Sequence, residues 1–351
     1  MSVDRDILQL ARPEILALKA YQSAREEFVG GAREMILLDA NENPYPSAVN
    51  RYPDPMQKEL KQKLGKFKQC PQDQIFLGNG SDEVLHLLMQ IFCVPGKDKA
   101  VILPPTFGMY QVCADINGVE TIAVPLTARF QLDVLAIEAT YAQQPKMIFI
   151  PSPNNPSGNC FPQEELLTII ENFPGIVVLD EAYVEFTANA SMLNRLDEFP
   201  HLIIVQTFSK AQGMAGVRLG MCYAHASIIA LLNKLKAPYN LNVLTQKAVM
   251  RQLDRQDEVG REVAEMLAEK NRIITTLEGL ALVEEIFPSD ANFFLLRVAD
   301  SERIYHQLLE EGIVVRNPSK QVHCQNTLRI SVGTPLENDM LLAAFNKINR
   351  S

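Results

Sequence analysis

The sequence predicts an α/β protein, with a mostly parallel seven-stranded sheet flanked by helices and a smaller α+β domain. Three observations predict it. From about residue 75 to 224, short apolar runs alternate with longer stretches of helical periodicity. After residue 238 this alternation gives way to a long charged helical pattern followed by mixed short elements. The chain has 351 residues, beyond the size at which a single hydrophobic core is the default.

Taken in order, the strand-like runs fall at 75–77, 100–103, 121–124, 147–150, 176–179, 202–205 and 219–223. Helical patterns lie between them at 81–93, 109–117, 132–141 and 162–172. Strands alternating with helices imply a sheet covered on both faces, whose ligands gather at the carboxyl ends of the strands. A helical stretch then runs from about 243 to 280, followed by a strand at 292–298 and a helix at 301–311. Strand-like runs at 313–316 and 328–332 precede a last helix after Pro335. The amino terminus reads as an amphipathic helix and is expected to pack on the smaller domain. That gives a large domain over 45–238 and a small one built from 1–44 and 239–351.

Composition bounds the function. Apolar residues make up 47% of the chain, an ordinary globular value. The net charge is −9, and no Lys/Arg run tracks a phosphodiester backbone, so nucleic acid is not an expected partner. No window reaches the roughly 18 apolar residues that span a bilayer. The amino terminus lacks the pattern of a signal peptide, so a cytoplasmic location is expected. The cysteines (Cys70, Cys93, Cys113, Cys160, Cys222 and Cys324) form no paired motif and are expected to be reduced. The histidines (His86, His201, His225, His306 and His323) show no metal-ligand spacing, so no metal is assigned.

Four segments carry polar or special residues at strand ends: GNGSDE (78–83), SPNNPSG (152–158), VVLDEAY (177–183) and QTFSKAQGMAGVRLG (206–220). Asp180 ends a run that should be a buried strand, where a carboxylate needs a partner. It suits a cationic ligand group, or equally a helix cap. Lys210 follows a strand together with Thr207 and Ser209, and Arg218 lies beyond a small-residue loop. Two hydroxyls and an arginine near a lysine suit a phosphate beside an amine nucleophile, although on its own Ser209-Lys210 reads more readily as part of a solvated surface loop. The glycines before Ser81 and Asp82 leave helix-start amides open to an anion, although Ser81 could be a plain cap.

In this order the four segments resemble the fold-type I, class I/II aminotransferases that use pyridoxal 5'-phosphate. The resemblance runs from about Tyr21 to Gly333. It implies that Lys210 forms the Schiff base with the cofactor and that Asp180 pairs with the pyridine nitrogen. It also implies that Asn155 and Tyr183 flank the phenolic oxygen and that Phe107 stacks on the ring. Phosphate contacts fall on Ser81, Asp82, Thr207, Ser209 and Arg218. Many relatives carry Tyr where this chain has Phe107. Asp180 would keep the ring protonated as an electron sink, and Lys210, with a lowered pKa, would act as the base.

The outer segments AYQSARE (20–26), LLDANENPYP (37–46), NRYPDP (50–55), PPTFGMY (104–110) and LRISVG (328–333) resemble the histidinol-phosphate aminotransferases. That family exchanges an amino group between histidinol phosphate and 2-oxoglutarate, giving glutamate, in histidine biosynthesis. The resemblance places Arg329 on the substrate anion and Tyr52 at the cofactor phosphate of the neighbouring subunit, which implies a homodimer. Histidinol phosphate has no α-carboxylate, so its phosphate must enter an anion pocket, with Arg316 and Tyr21 as candidates to help. Aromatic amino-acid aminotransferases and threonine-phosphate decarboxylases remain alternatives. So does a non-catalytic regulatory module, although the family-like region leaves no room for a DNA-binding domain.

Overall fold

The computed structural model describes residues 7–21 and 36–350. Most of the AYQSARE segment lies outside them, as do residues 1–6 of the expected amino-terminal helix. Seven strands form one sheet: β1 (Ile75–Asn79), β2 (Lys99–Ile102), β3 (Glu120–Ala123), β4 (Met147–Pro151), β5 (Ile176–Asp180), β6 (Leu202–Thr207) and β7 (Leu219–Ala224). Their order is β1-β7-β6-β5-β4-β2-β3. Strands β2, β4 and β5 run parallel, whereas β7 lies antiparallel to both β1 and β6. Every residue of β4, β5, β6 and β7 is buried, as expected where helices cover both faces. A second, antiparallel sheet has the order β10-β9-β8, from β8 (Val283–Ile286), β9 (Phe293–Val298) and β10 (Thr327–Ser331). The predicted α/β architecture is the observed one.

The helices are α1 (Pro13–Ala17), α2 (Lys58–Lys68), α3 (Ser81–Phe92), α4 (Met109–Ile116), α5 (Val134–Ala139) and α6 (Gln163–Asn172). They continue with α7 (Ala226–Leu235), α8 (Val243–Gln252), α9 (Gln256–Leu277), α10 (Ser301–Glu310) and α11 (Pro335–Arg350). Among the described residues, no helix is long and apolar enough to cross a membrane.

The chain divides into two compact units. The first comprises residues 1–98, 113–120 and 192–256. In it α3 packs on β1 and β7, burying Val84, Leu85, Leu87, Leu88, Met89, Ile91 and Phe92. That spacing follows the helical period, and each such side chain contributes about 1.5–3 kcal/mol by leaving water. Two hydrogen bonds of the amino-terminal segment fall inside this unit. Arg12 N donates to Ile91 O at 2.9 Å, and Lys234 Nζ donates to Leu16 O at 2.7 Å. Its helix is only five residues long, because Pro13 opens it and Leu18 is already extended.

The second unit comprises residues 99–112, 121–191 and 257–351. The smaller sheet has its own core: Phe294, Leu296 and Val298 of β9 and Leu328 and Ile330 of β10 face Ile273, Leu277, Ile304, Leu308 and Phe345. Strand alternation then turns Arg329, between Leu328 and Ile330, to the opposite face.

Two expected elements differ. The helix expected over 243–280 is broken between Gln252 and Gln256. There Gln252 Nε2 donates to Gln212 O, and the Gln212 and Gln256 amides exchange hydrogen bonds at 3.1 and 3.0 Å. The strand expected at 313–316 reduces to a single bridge between Arg316 and Arg329.

Candidate active site

In the first unit, the residues predicted to hold a phosphate converge. Thr207 ends β6 and pairs with Gly220 of β7, which in turn pairs with Gly78 of β1. This row of small residues lets the start of α3 lie directly on the sheet. A Cβ at Gly220 would collide with Ser81 N and the Gly80 carbonyl. Gly80 caps α3 at φ +83° with no side-chain cap, so amides of the first turn have no intrahelical partner. A Cβ at Gly80 would lie 2.5 Å from Arg218 Nη2, so the arginine lies across the helix start. Its guanidinium also meets Asp82 Oδ2 at 3.3 Å, on a half-exposed pair that adds little stability.

Thr207 Oγ1 donates to Leu219 O and lies 3.1 Å from Ser209 Oγ, and it accepts from Ser209 N. These bonds fold the chain sharply after β6 and present Ser209 and Lys210, both half-buried, at its carboxyl end. Helix-start amides, two hydroxyls and a guanidinium form a set of anion donors, with an amine next in the chain. The fit to a phosphate ester is good, because the cradle exists only where glycine leaves room for it. A cavity of about 960 Å³ in this unit is lined by Tyr21, Asn41, Arg51, Tyr52 and Tyr239. Tyr52 is exposed and stacks on Tyr239 with centroids 4.5 Å apart.

In the second unit, Asp180 ends β5 and is buried. Its Oδ1 accepts from Ala182 N at 3.0 Å, and its Oδ2 accepts from Tyr110 OH at 2.8 Å. Tyr110 is fully buried, stacked on Phe149 at 4.9 Å and edge-on to Phe107 at 5.6 Å. The sequence reading missed Tyr110, since an apolar-faced helix position gives no sign that its hydroxyl reaches a carboxylate seventy residues on.

Asn155 sits in the turn after β4, and its Oδ1 accepts from Arg329 Nη1. The Arg329 guanidinium lies over the Phe293 ring at 5.3 Å, and Phe293 meets Tyr183 edge-on at 5.0 Å. Arg329 Nε is buried without a hydrogen-bond partner. Arg316, which is exposed, exchanges both backbone hydrogen bonds with Arg329, at 3.1 and 2.8 Å, so the two side chains share a face. Both line a cavity of about 1140 Å³ with Asn317, Lys320 and Ser331. Burial, followed by the nearby positive charge of Arg316, pushes the Arg329 pKa down, whereas Tyr183 opposes that shift. Two arginines on one face of the same cavity favour an anion there. Burial raises the Tyr183 pKa to about 12, the Arg329 charge opposes this, and Asp180 adds to it. Its hydroxyl therefore stays protonated and is a donor at neutral pH.

The profile of the aminotransferase class I and II family matches residues 34–345. A histidinol-phosphate aminotransferase of Christiangramia forsetii is 48% identical over 345 residues, covering 98% of this chain and 99% of the relative. One from Bacteroides fragilis is also 48% identical, over 343 residues with the same coverage. Among solved structures, the histidinol-phosphate aminotransferase from Sinorhizobium meliloti, in complex with pyridoxal-5'-phosphate, matches with a TM-score of 0.79 at 24% identity. The match covers 86% of this chain and 83% of that one. At that identity the structural likeness speaks for the fold alone. A profile spanning nearly the whole sequence, and relatives this similar along their full length, settle the kinship: this chain belongs to the class I and II aminotransferases.

Proposed function

We propose that the protein transfers an amino group between L-histidinol phosphate and 2-oxoglutarate, giving imidazole acetol phosphate and L-glutamate, with pyridoxal 5'-phosphate as cofactor. The observation that carries the substrate class is the paired Arg316 and Arg329, with a buried, unpartnered Nε and a hydrogen bond to Asn155. That arrangement suits a carboxylate of glutamate in one half-reaction and a phosphate in the other. The curated relatives at 48% identity bear the same name. The bound cofactor would supply an electron sink for the carbanion left when the substrate loses its Cα proton.

The chain's own groups then take distinct tasks. Ser81 and Asp82 amides, Thr207, Ser209 and Arg218 anchor the phosphate. Asp180, oriented by Tyr110, holds the proton on the pyridine nitrogen. Asn155 and the protonated Tyr183 donate to the phenolic oxygen, and Phe107 covers the ring. Lys210 Nζ would be the base that takes up and returns the substrate's Cα proton. Tyr21 helps to receive the phosphate of histidinol phosphate.

A homodimer completes this reading. Ile36, Leu38 and Tyr45 are exposed at 87, 85 and 78%, in the segment leading to the exposed Tyr52. Apolar surface of this kind supports a partner contact, with Tyr52 reaching the partner's cofactor phosphate. The functional division into 45–238 and 1–44 with 239–351, and a cytoplasmic site of action, belong to the same proposal.

The test is the visible absorption of the purified protein before and after L-histidinol phosphate is added without any keto acid. Conversion of the lysine-bound cofactor's band to that of the aminated cofactor establishes the first half-reaction. A band indifferent to histidinol phosphate but responsive to phenylalanine or threonine phosphate moves the assignment to those substrates. Absence of any band after supplying pyridoxal phosphate refutes the role of Lys210.

A further inference from the structure

Beneath the turn that joins β8 to β9 lies a lysine that none of these roles requires. Lys270 of α9 is only 5% exposed, and its Nζ donates to Ser289 O and Ala291 O, each at 2.7 Å. These carbonyls flank Asp290. Asp290 in turn grips the Asn155 turn twice: its N donates to Gly158 O at 2.8 Å, and its Oδ2 accepts from Cys160 N at 2.8 Å. The two turns are packed without slack. Gly158 has φ +86°, and a Cβ there would lie within 2.8 Å of Ser289 Cβ.

Farther along, the same segment grips the strand of Arg329. Asn292 O accepts from Val332 N at 2.9 Å, and the Phe293 ring underlies the guanidinium. Asn155 and Arg329 are thus tied to opposite ends of one short segment, 289–293, and that segment rests on Lys270.

We propose that Lys270 and Asp290 form a clamp that fixes the position of Asn155 relative to Arg329, making them positioning residues for the substrate anion. The inference rests on the reading of Arg329 as the anion-binding residue. Its physical ground is that a hydrogen bond between two side chains from distant turns is only as well aimed as the backbone beneath it. A buried lysine is an expensive way to fill space, since burial pushes its pKa down. A methionine would fill the volume but could not hold two carbonyls in one orientation.

The experiment uses the holoenzyme and the variants Lys270→Met, Asp290→Ala, Asp290→Asn and Arg329→Ala. The dissociation constant of maleate, an unreactive dicarboxylate, is read from the cofactor band, beside KM for 2-oxoglutarate, kcat and the melting temperature. Lys270→Met and Asp290→Ala should weaken maleate and raise KM by about tenfold, the order of one hydrogen bond to a charged group, with kcat within about twofold. Asp290→Asn keeps an oxygen for Cys160 N and should stay near wild type, which a general loss of packing would not predict. Unchanged maleate binding in both Lys270→Met and Asp290→Ala, alongside weakened binding in Arg329→Ala, overturns the clamp alone. Equal losses in Asp290→Asn and Asp290→Ala also overturn it. Maleate binding that ignores Arg329→Ala overturns the anion site together with the clamp.

Discussion

Tyr110→Phe removes one oxygen from the interior and leaves nearly everything else in place. The ring keeps its stack on Phe149 and its edge contact with Phe107, so no sizeable cavity opens. What is lost is the 2.8 Å donation to Asp180 Oδ2, a hydrogen bond to a charged acceptor at a buried site. Such bonds contribute about 1.5–3 kcal/mol. Ala182 N still holds Oδ1, so the lower half of that range applies. If Asp180 holds the pyridine proton as proposed, losing this donor would let the carboxylate compete for that proton, and the ring would withdraw fewer electrons. We expect kcat/KM to fall about tenfold. The titration midpoint of the visible band should move with it. The assay is steady-state kinetics together with a spectrophotometric titration of the holoenzyme. Activity within twofold of wild type and an unmoved titration would refute the reasoning and leave the Ala182 amide as sufficient support for Asp180.

Three further outcomes follow from particular contacts. Lys61 is 5% exposed, and its pKa falls from 10.5 to about 8, chiefly by burial and then by the charge of Lys236. Because the folded value lies below the unfolded one, the cost, about 3 kcal/mol, is constant below pH 8, and stability rises between about pH 8 and 10.5. Lys61→Met should therefore raise the melting temperature at pH 7 by several degrees, an advantage that shrinks toward pH 10; a pH-independent gain would contradict the assignment. Gly220→Ala places a methyl against Ser81 N and should cost about 1–3 kcal/mol by denaturant unfolding while weakening retention of pyridoxal phosphate. Unaltered cofactor affinity would show that the phosphate is held without the start of α3. Arg329→Lys forfeits bidentate geometry and should raise KM for both 2-oxoglutarate and histidinol phosphate about tenfold; a loss confined to one substrate would separate the two anion sites.

Much of the fold is legible because burial leaves a plain record in composition. The apolar runs behind β1, β4, β5, β6 and β7 match the observed strands within a residue or two. What escaped was set by distant partners. Nothing local in Leu253, Asp254 and Arg255 marks a helix break; it lies where Gln212, from the 206–220 segment, bonds to both Gln252 and Gln256. The strand β8, Val-Glu-Glu-Ile, lacks an apolar run because only part of it is covered. At the candidate site, the motifs named the groups that bear the chemistry. They could not name Tyr110, Phe293 or Lys270, ordinary core or surface types by sequence, whose importance lies in what they touch. Arg316 was read from its place at the end of an expected strand, and a single pair of backbone bonds with Arg329 turned out to be what remains of that strand.

The reversed direction of β7 has a consequence for how damage to the chain would be tolerated. Thr207 and Gly220 face one another across β6 and β7, so the loop between them is a ring closed by the sheet. One accessible point in it is Gly213, exposed, at φ +65° and with open space around it. A protease cutting there would leave Lys210 fastened to the end of one strand and Arg218 to the beginning of the next. Both severed ends would stay pinned to the same edge, so the nicked molecule would retain its amine and its guanidinium where the intact one holds them.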